Sequence, residues 1–459
     1  MTEPDWVQHA IWWHVYPIGF VGAEQAAGAA DRHPDRTADH RLGQLVPWLD
    51  YVVELGASGL ALGPVFASET HGYDTTDYFR IDPRLGDDAD FDELIAQCHA
   101  RGLKVLLDGV FNHVGRSFGP FQRVLTEGPG APAASWFRLQ WPESGWTPGT
   151  EPGYDDFEGH HHLVALNHDE PAVGVLVTDV MKHWLGRGAD GWRLDAAYAV
   201  PASYWAPVLA EVRRDFPEAY FVGEYIHGDF AEEVERSTLD SVTQYELWKA
   251  VWSSLNDANF YELASALERH NGFLDSFVPL TFVGNHDVTR LASKLDNPDQ
   301  LALALTVLLT VGGTPSIYYG DEQAFRGVKE DRAGGDDAVR PAFPAGPAEL
   351  AAAGWPVYHL HQELISLRRR HSWLHRARTT VLTLSNEHLV YQARDDGGAD
   401  NGETGDGGAL TVALNLSATP ADLPVPSGAG TLLAGQGRQR PERNVVSLPG
   451  FGWAVLGIG

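Results

Sequence analysis

The chain has 459 residues, 62 of them acidic and 33 basic, for a formal net charge of −29. That balance repels nucleic acid and anionic membrane surfaces and suits a neutral polar substrate. Hydrophobic residues make up 44% and aromatic residues 11%, with 15 Trp, which excludes global disorder and leaves room for a large domain with an appendage.

The N-terminus, MTEPDWVQHAIWW, has no basic stretch followed by a long apolar run, so no signal peptide is expected. No segment offers 18 consecutive apolar residues for a membrane span, and cytoplasmic residence is the resulting expectation. The first strand candidate is IWWHVYP (11–17), followed by a helical pattern over 41–55 and the strand SGLALGPVF (58–66). A helix over 91–101 carries the lone cysteine, Cys98, as a small buried hydrophobe, and leads to the strand LKVLLDGVF (103–111). Between 114 and 170 the chain is rich in Gly, Pro and aromatics with little periodicity, an excursion after the third strand. Strands then follow at 189–196, 219–224, 240–246, 277–284 and 314–320, with helical patterns over 171–187, 203–215, 247–269, 298–311 and 355–371. Eight strands alternating with helices predict an α/β fold of parallel units, and at this length a (β/α)8 TIM barrel rather than an open sheet. The barrel is expected over 1–113 and 171–376 and the excursion over 114–170. After 376 the helical period stops, and the runs TTVLTL, HLVYQAR, ALTVALNL, GTLLAG and NVVSL predict a C-terminal antiparallel β-sandwich over 377–459. The Gly/Asp-rich stretch 395–409 is expected to be a flexible hairpin loop.

Polar residues gather where these strands end. VLLDGVFNH offers Asp108, Asn112 and His113; GWRLDAAY offers Arg193 and Asp195; YFVGE ends on Glu224. TFVGNHD ends on Asn285, His286 and Asp287, and HGYDTTDY carries His71, Tyr73, Asp74 and Asp77. In a parallel barrel all strand C-termini open on one rim, where active sites are built. Strand side chains alternate with period two, so Arg193 and Asp195 share a face and Trp192 and Leu194 take the other. Singly, an Asp at a strand end is usually a helix N-cap. Jointly, four carboxylates (Asp108, Asp195, Glu224, Asp287), three histidines and an arginine converge, with no phosphate-type Gly loop. Paired carboxylates without a metal cluster or a Ser/Cys nucleophile match glycoside cleavage, one as nucleophile and one as acid/base. The nucleophile must be ionised, and a nearby cation lowers its pKa; Arg193 has the parity to be that cation for Asp195. The acid/base needs a raised pKa, which apolar surroundings supply, and Glu224 follows the apolar YFV.

The blocks DGVFNH, GWRLDAAY, VGE and FVGNHD, in this order at the third, fourth, fifth and seventh strands, resemble the four signature regions of the α-amylase superfamily of glycoside hydrolases. The resemblance spans nearly the whole chain. It implies Asp195 as the nucleophile that forms a glycosyl-enzyme, Glu224 as general acid/base, and Asp287 as the grip on sugar hydroxyls in the distorted transition state. It further implies Arg193 orienting Asp195, with Asp108 bracing Arg193 and Asn112 behind the rim. His71, His113, His286 and Tyr73 would bind the sugar before the cleaved bond. The stretches FNHVGRSFGPFQRVLTEG, HGYDTTDYFRIDPRLGD and LNHDEPAV are similar to the neopullulanase, cyclomaltodextrinase and maltogenic amylase group, as is His227 shortly after Glu224, a further substrate-binding candidate. The first barrel strand already lies at 11–17, so that group's N-terminal domain, which helps build its usual dimer, is expected to be absent, which leaves a homodimer of some other mode open. The chain also has Ile226 where the group often has Trp, and reads LVALN in the extra block. A hydrolase opening cyclic maltosyl-maltose is similar too.

The implied reaction is retaining hydrolysis of α-1,4, and in some members α-1,6, linkages in linear or cyclic malto-oligosaccharides, with no cofactor. The shared intermediate also admits a transglycosylase or an isomerase of the trehalose-synthase kind. A non-catalytic sugar-binding scaffold is the remaining alternative, and such proteins need not keep the carboxylates. Many superfamily members bind calcium near the position of Asn112 or in an Asp-rich loop after the first strand. Here that loop, AADRHPDRTADH, lacks the spacing of a calcium loop, so no obligatory metal is expected. GHHH (159–162) is too tightly spaced for facial ligation and reads as a solvated loop. The cluster SWFRLQWPESGW reads equally as sugar-stacking or as packing of the excursion on the barrel.

Overall fold

A computed structural model describes residues 3–23, 38–332, 334–395 and 408–458. Eight short parallel strands form one sheet: β1 (Trp12–Val15), β2 (Gly59–Leu62), β3 (Lys104–Gly109), β4 (Gly191–Leu194), β5 (Tyr220–Gly223), β6 (Ser241–Val242), β7 (Leu280–Phe282) and β8 (Thr314–Tyr318). Neighbours in the sheet are neighbours in sequence, and β8 returns to β1. A parallel bridge from Thr243, just past β6, to Leu280 in β7 closes the ring. Each strand lies inside the stretch expected of it.

The alternation along each strand sorts side chains between two cores. Trp12, Leu106, Tyr220, Val222, Leu280 and Phe282 form the barrel interior with Val7 and Tyr245. Their sequence neighbours Trp13, Val105, Leu107, Trp192, Leu194 and Phe221 join the larger core beneath the helices. Both strand faces are therefore covered, as parallel sheets require. The lower interior is filled by aromatics: Trp12 stacks on Tyr220 at 6.5 Å between centroids and meets Trp6 edge-on at 6.0 Å. Truncating such a residue typically costs about 3–5 kcal/mol. The same parity carries His14, Asp108, Arg193, Asp195 and Glu224 to the interior side at the open, C-terminal end.

One expectation is corrected and two regions gain detail. The helical stretch 247–269 is two helices, Tyr245–Asn256 and Phe260–Phe273. They part where Ala258 takes a left-handed φ of 48° and the Asn259 side chain caps Tyr261 N at 3.1 Å; a short polar side chain satisfies a free helix-end N–H better than it continues a helix. The excursion is not featureless. It holds a helix, Gly119–Glu127, and a small antiparallel sheet of His113–Gly115, His160–Ala165 and Asp156–Phe157. A helix at Phe230–Ser237, capped by Asp229, was not anticipated either. Before the excursion, the antiparallel pair Phe66–Ser68 and Thr75–Ile81 presents the loop with His71 and Tyr73.

Among the described residues the C-terminal region has two antiparallel sheets. The larger contains β9 (Arg378–Leu384), β10 (His388–Arg394), β11 (Ala409–Asn415), β12 (Ala429–Gly435) and β13 (Trp453–Ile458). Leu389, Tyr391, Leu410, Val412 and Val455 join the barrel's outer core, while Val390, Ala413, Ala454 and Leu456 pack against Leu423, Val446 and Leu448 of the smaller sheet. That is the expected sandwich, with one outer face used to grip the barrel. The flexible-loop expectation for 395–409, apart from its ends, and most of the 29–40 loop lie outside the described residues. Among the described residues no helix is long and apolar enough to cross a membrane.

Candidate active site

The rim is organised around one guanidinium. β3 and β4 pair with Arg193 opposite Asp108. Arg193 Nη1 donates to both Asp108 oxygens at 2.7 and 2.6 Å and to Asp195 Oδ1 at 3.1 Å. Its Nη2 lies 2.7 Å from Glu224 Oε1. Backbone bonds fix the strand ends that carry the acids: Asp195 N–H to Gly109 O at 3.0 Å and Glu224 N–H to Leu194 O at 2.9 Å. Glu224 also accepts from Ala196 N–H at 3.0 Å and from the Tyr245 hydroxyl at 3.2 Å. Burial keeps Tyr245 a phenol by raising its pKa well above the usual value. Asn285 donates to the Tyr245 oxygen at 2.9 Å, and its own Oδ1 receives Asp287 N–H at 2.9 Å.

Two electrostatic expectations need revision. Asp195 is pushed well above the usual carboxylate range by burial, with Glu224, Asp108 and Asp287 adding to the rise and Arg193 opposing it. Burial outweighs the guanidinium that Asp195 shares with Asp108 and Glu224. Burial likewise raises Asp108 despite Arg193. The surroundings of Glu224 are not apolar as its preceding YFV suggested: they are three hydrogen-bond donors inside a buried site.

A second cluster faces the first. Tyr73 donates to Asp108 Oδ2 at 3.1 Å, and its hydroxyl also contacts His286 Nε2. The two rings are nearly parallel, with centroids 5.3 Å apart. His286 Nε2 lies 2.9 Å from Asp287 Oδ2, while its Nδ1 has no hydrogen-bond partner among the described residues. Arg340 donates to Asp287 Oδ1 at 2.8 Å and to His286 O at 3.1 Å. Burial raises the Asp287 carboxyl, but His286 and Arg340 outweigh it and hold the group well below its usual range.

The remaining predicted residues divide. Asn112 is buried and donates to His113 Nδ1 at 3.1 Å, and His113 Nε2 lies 2.9 Å from the Tyr73 carbonyl. Both ring nitrogens are engaged and burial lowers its pKa to about 4, so His113 supports Tyr73 here. His71 is half-buried, and its Nδ1 accepts from Tyr73 N–H at 3.2 Å. His227 is exposed on the opposite side, 6.1 Å from the Tyr198 ring. Asp74 bonds Thr70 within the loop.

Arg340, Tyr245, His14 and Tyr16 belong to the site and were not singled out. His14 has the interior parity of β1 and meets His286 edge-on at 5.1 Å; Tyr16 stacks on His286 at 6.1 Å. The parity of IWWHVYP was the available signal for His14. Arg340 comes from an irregular segment after β8 and carries no such signal.

No three carboxylate or imidazole ligand atoms converge beside Asn112 among the described residues. The one such group, His40, Asp87 and Asp90, includes two carboxylates that already form a helix capping box. A groove of about 620 Å³ between helices Pro171–Gly186 and Ala202–Asp215 lies on the outer wall; the convergent chemistry assigns the site to the rim instead.

A closed (β/α)8 barrel with paired carboxyls and an arginine on its C-terminal rim defines a glycosidase-type enzyme. A family model described as "Alpha amylase, catalytic domain" matches residues 41–345, and one described as "Domain of unknown function (DUF3459)" matches 401–456. The chain belongs to the α-amylase family of glycoside hydrolases. It is 31% identical to a cyclomaltodextrinase of Geobacillus thermopakistaniensis, across 99% of this chain and 78% of that protein. Among solved structures it is similar to the debranching enzyme of Nostoc punctiforme, with 26% identity, a TM-score of 0.80 and full coverage of both chains. It is also similar to the ligand-free cyclic α-maltosyl-(1→6)-maltose hydrolase of Arthrobacter globiformis, with 25% identity, a TM-score of 0.79 and 99% coverage of each chain.

Proposed function

We propose that this protein hydrolyses α-glucosidic bonds in linear or cyclic malto-oligosaccharides with retention, and that Asp195, Glu224 and Asp287 carry the reaction. The observation that carries the reading is the single Arg193 guanidinium contacting Asp108, Asp195 and Glu224 together. Retaining enzymes keep their two carboxyls about 5 Å apart, too close for an intervening water, and a shared guanidinium keeps Asp195 and Glu224 close. The first step needs Asp195 ionised, which Arg193 favours and burial opposes; the Asp195 carboxylate attacks the anomeric carbon while the Glu224 carboxyl gives its proton to the departing oxygen. In the second step Glu224, now the base, takes a proton from water as that water displaces Asp195. Each step moves one negative charge between two carboxyls flanking Arg193, so the cation serves both states without moving. Asp287, held ionised by His286 and Arg340, binds sugar hydroxyls of the ring being cleaved, and Tyr73 borders that ring.

Asp195→Ala and Glu224→Gln test the reading on maltotriose and a cyclodextrin; undiminished turnover in both overturns it. A product profile over maltose, maltotriose, panose, cyclodextrins, pullulan and starch separates the substrates. Longer or rearranged sugars made from maltose would assign transfer rather than hydrolysis.

A further inference from the structure

The excursion sends one arm across the rim. Its strands Asp156–Phe157 and His160–Ala165 turn through Glu158 and Gly159, whose φ values are 53° and 82°. Two-residue turns with left-handed backbone at both positions favour Asn-Gly or Asp-Gly. A Glu in such a conformation costs on the order of 1 kcal/mol, and an outlier of this kind points toward function. The Glu158 carboxylate has a partner that supplies the reason. Its Oε1 accepts a hydrogen bond from the Tyr198 hydroxyl at 3.0 Å.

Tyr198 stands in the short turn after β4, three residues past Asp195. Its N–H donates to the Glu224 carbonyl at 3.3 Å, and its ring faces His227 at 6.1 Å. Further along the same arm, Phe157 stacks on His113 at 4.6 Å and His162 meets His71 edge-on at 6.4 Å. The arm therefore runs from the loop after β4 to the loop after β2. The Glu158–Tyr198 bond ties it down beside Glu224 and His227. This is the side from which the leaving sugar departs, because the ring being cleaved is held at Tyr73, His286 and Asp287.

We infer that Glu158 and Tyr198 determine chain-length specificity. The bond between them bounds the leaving-group side of the cleft, admitting a short α-glucan and turning away the continuing chain of a polymer. The inference rests on the α-glucan hydrolase reading above.

The test compares kcat/KM on soluble amylose and on maltotriose for the full chain and for Glu158→Ala, Tyr198→Phe and Glu158→Gln. The amylose-to-maltotriose ratio is expected to rise at least about fivefold in Glu158→Ala and Tyr198→Phe, a modest change in differential transition-state binding. Glu158→Gln, whose amide oxygen still accepts from Tyr198, is expected to keep the wild-type ratio. A merely structural defect lowers both values together and leaves the ratio unchanged. Should one variant fail to fold, as read by thermal unfolding, the other reads the same bond from its opposite end. A wild-type protein that cleaves maltotriose, with unchanged ratios in the variants, overturns this inference alone. A wild-type protein that cleaves neither sugar overturns the hydrolase reading and this inference with it.

Discussion

On the side of the cleft proposed to receive the ring to be cleaved, His286 is 1% exposed and touches Tyr73 from the loop after β2, His14 and Tyr16 from the end of β1, and Asp287 beside it on its own strand end. On the leaving-group side, Ile226 is 42% exposed, His227 is exposed, and Tyr198 meets the excursion through one bond to an exposed Glu158. The first side is over-determined, the second lightly tied. Transition-state stabilisation needs fixed dipoles, and fixed dipoles need neighbours that leave them nowhere else to point. A leaving group varies between substrates, so the surface that meets it gains from fewer constraints.

The contrast breaks most sharply at the centre, which both sides share. Asp195→Ala and Glu224→Gln are each expected to lower kcat on every substrate by about 10³-fold or more, without altering the preference among substrates. Steady-state kinetics on maltotriose and a cyclodextrin check this. A preference that shifted with either variant would mean the acids also serve recognition.

Next in size is Arg340→Ala, on the constrained side. It frees Asp287 and is expected to lower kcat/KM on the order of 10²-fold, mostly through kcat. The pH dependence carries the sharper signal. The folded-state pKa of Asp287 is depressed, so its contribution to stability is present above the ordinary value of 3.8 and is lost as pH falls through the folded value. Without Arg340 the folded value rises, and acid unfolding should move to higher pH. An acid-unfolding midpoint that stays in place would show that His286 alone holds the charge.

The two sides also differed in how much could be read from sequence. The eight strands and the rim acids were legible because strand parity is rigid: once Trp192 and Leu194 face the helices, Arg193 and Asp195 must face the interior. The excursion sheet and the break at Ala258 were not, since neither has a hydrophobic period to follow. Arg340 reaches Asp287 from an irregular segment, where side-chain direction depends on tertiary packing rather than on local repeat. The pKa of Asp195 was misjudged for a related reason. Sequence showed one cation beside one acid, and only three dimensions show that Asp195 is buried and that Asp108 and Glu224 draw on the same cation.

On the lightly tied side effects should shrink and become selective. His227→Ala is expected to cost less than about tenfold in kcat/KM, within the range of one lost hydrogen bond or contact, and to change the ratio of hydrolysis to transfer measured by product chromatography. A loss matching that of Arg340→Ala would erase the distinction between the two sides.

The smallest effect concerns the strain itself. If Glu158 keeps a left-handed backbone for the sake of its bond to Tyr198, a residue better suited to that backbone should firm the hairpin while losing the bond. Asn tolerates this conformation and is favoured before Gly in such turns. Glu158→Asn is therefore expected to stabilise the hairpin locally, by about 0.5 kcal/mol, and yet to relax polymer exclusion because its side chain is too short to reach Tyr198. Amide hydrogen exchange across residues 156–162 measures the first effect. Slower exchange there, together with a raised amylose-to-maltotriose ratio, would show that this wall of the cleft gives up stability for selectivity. Faster exchange would mean that the Tyr198 bond, rather than the turn, holds the arm in place.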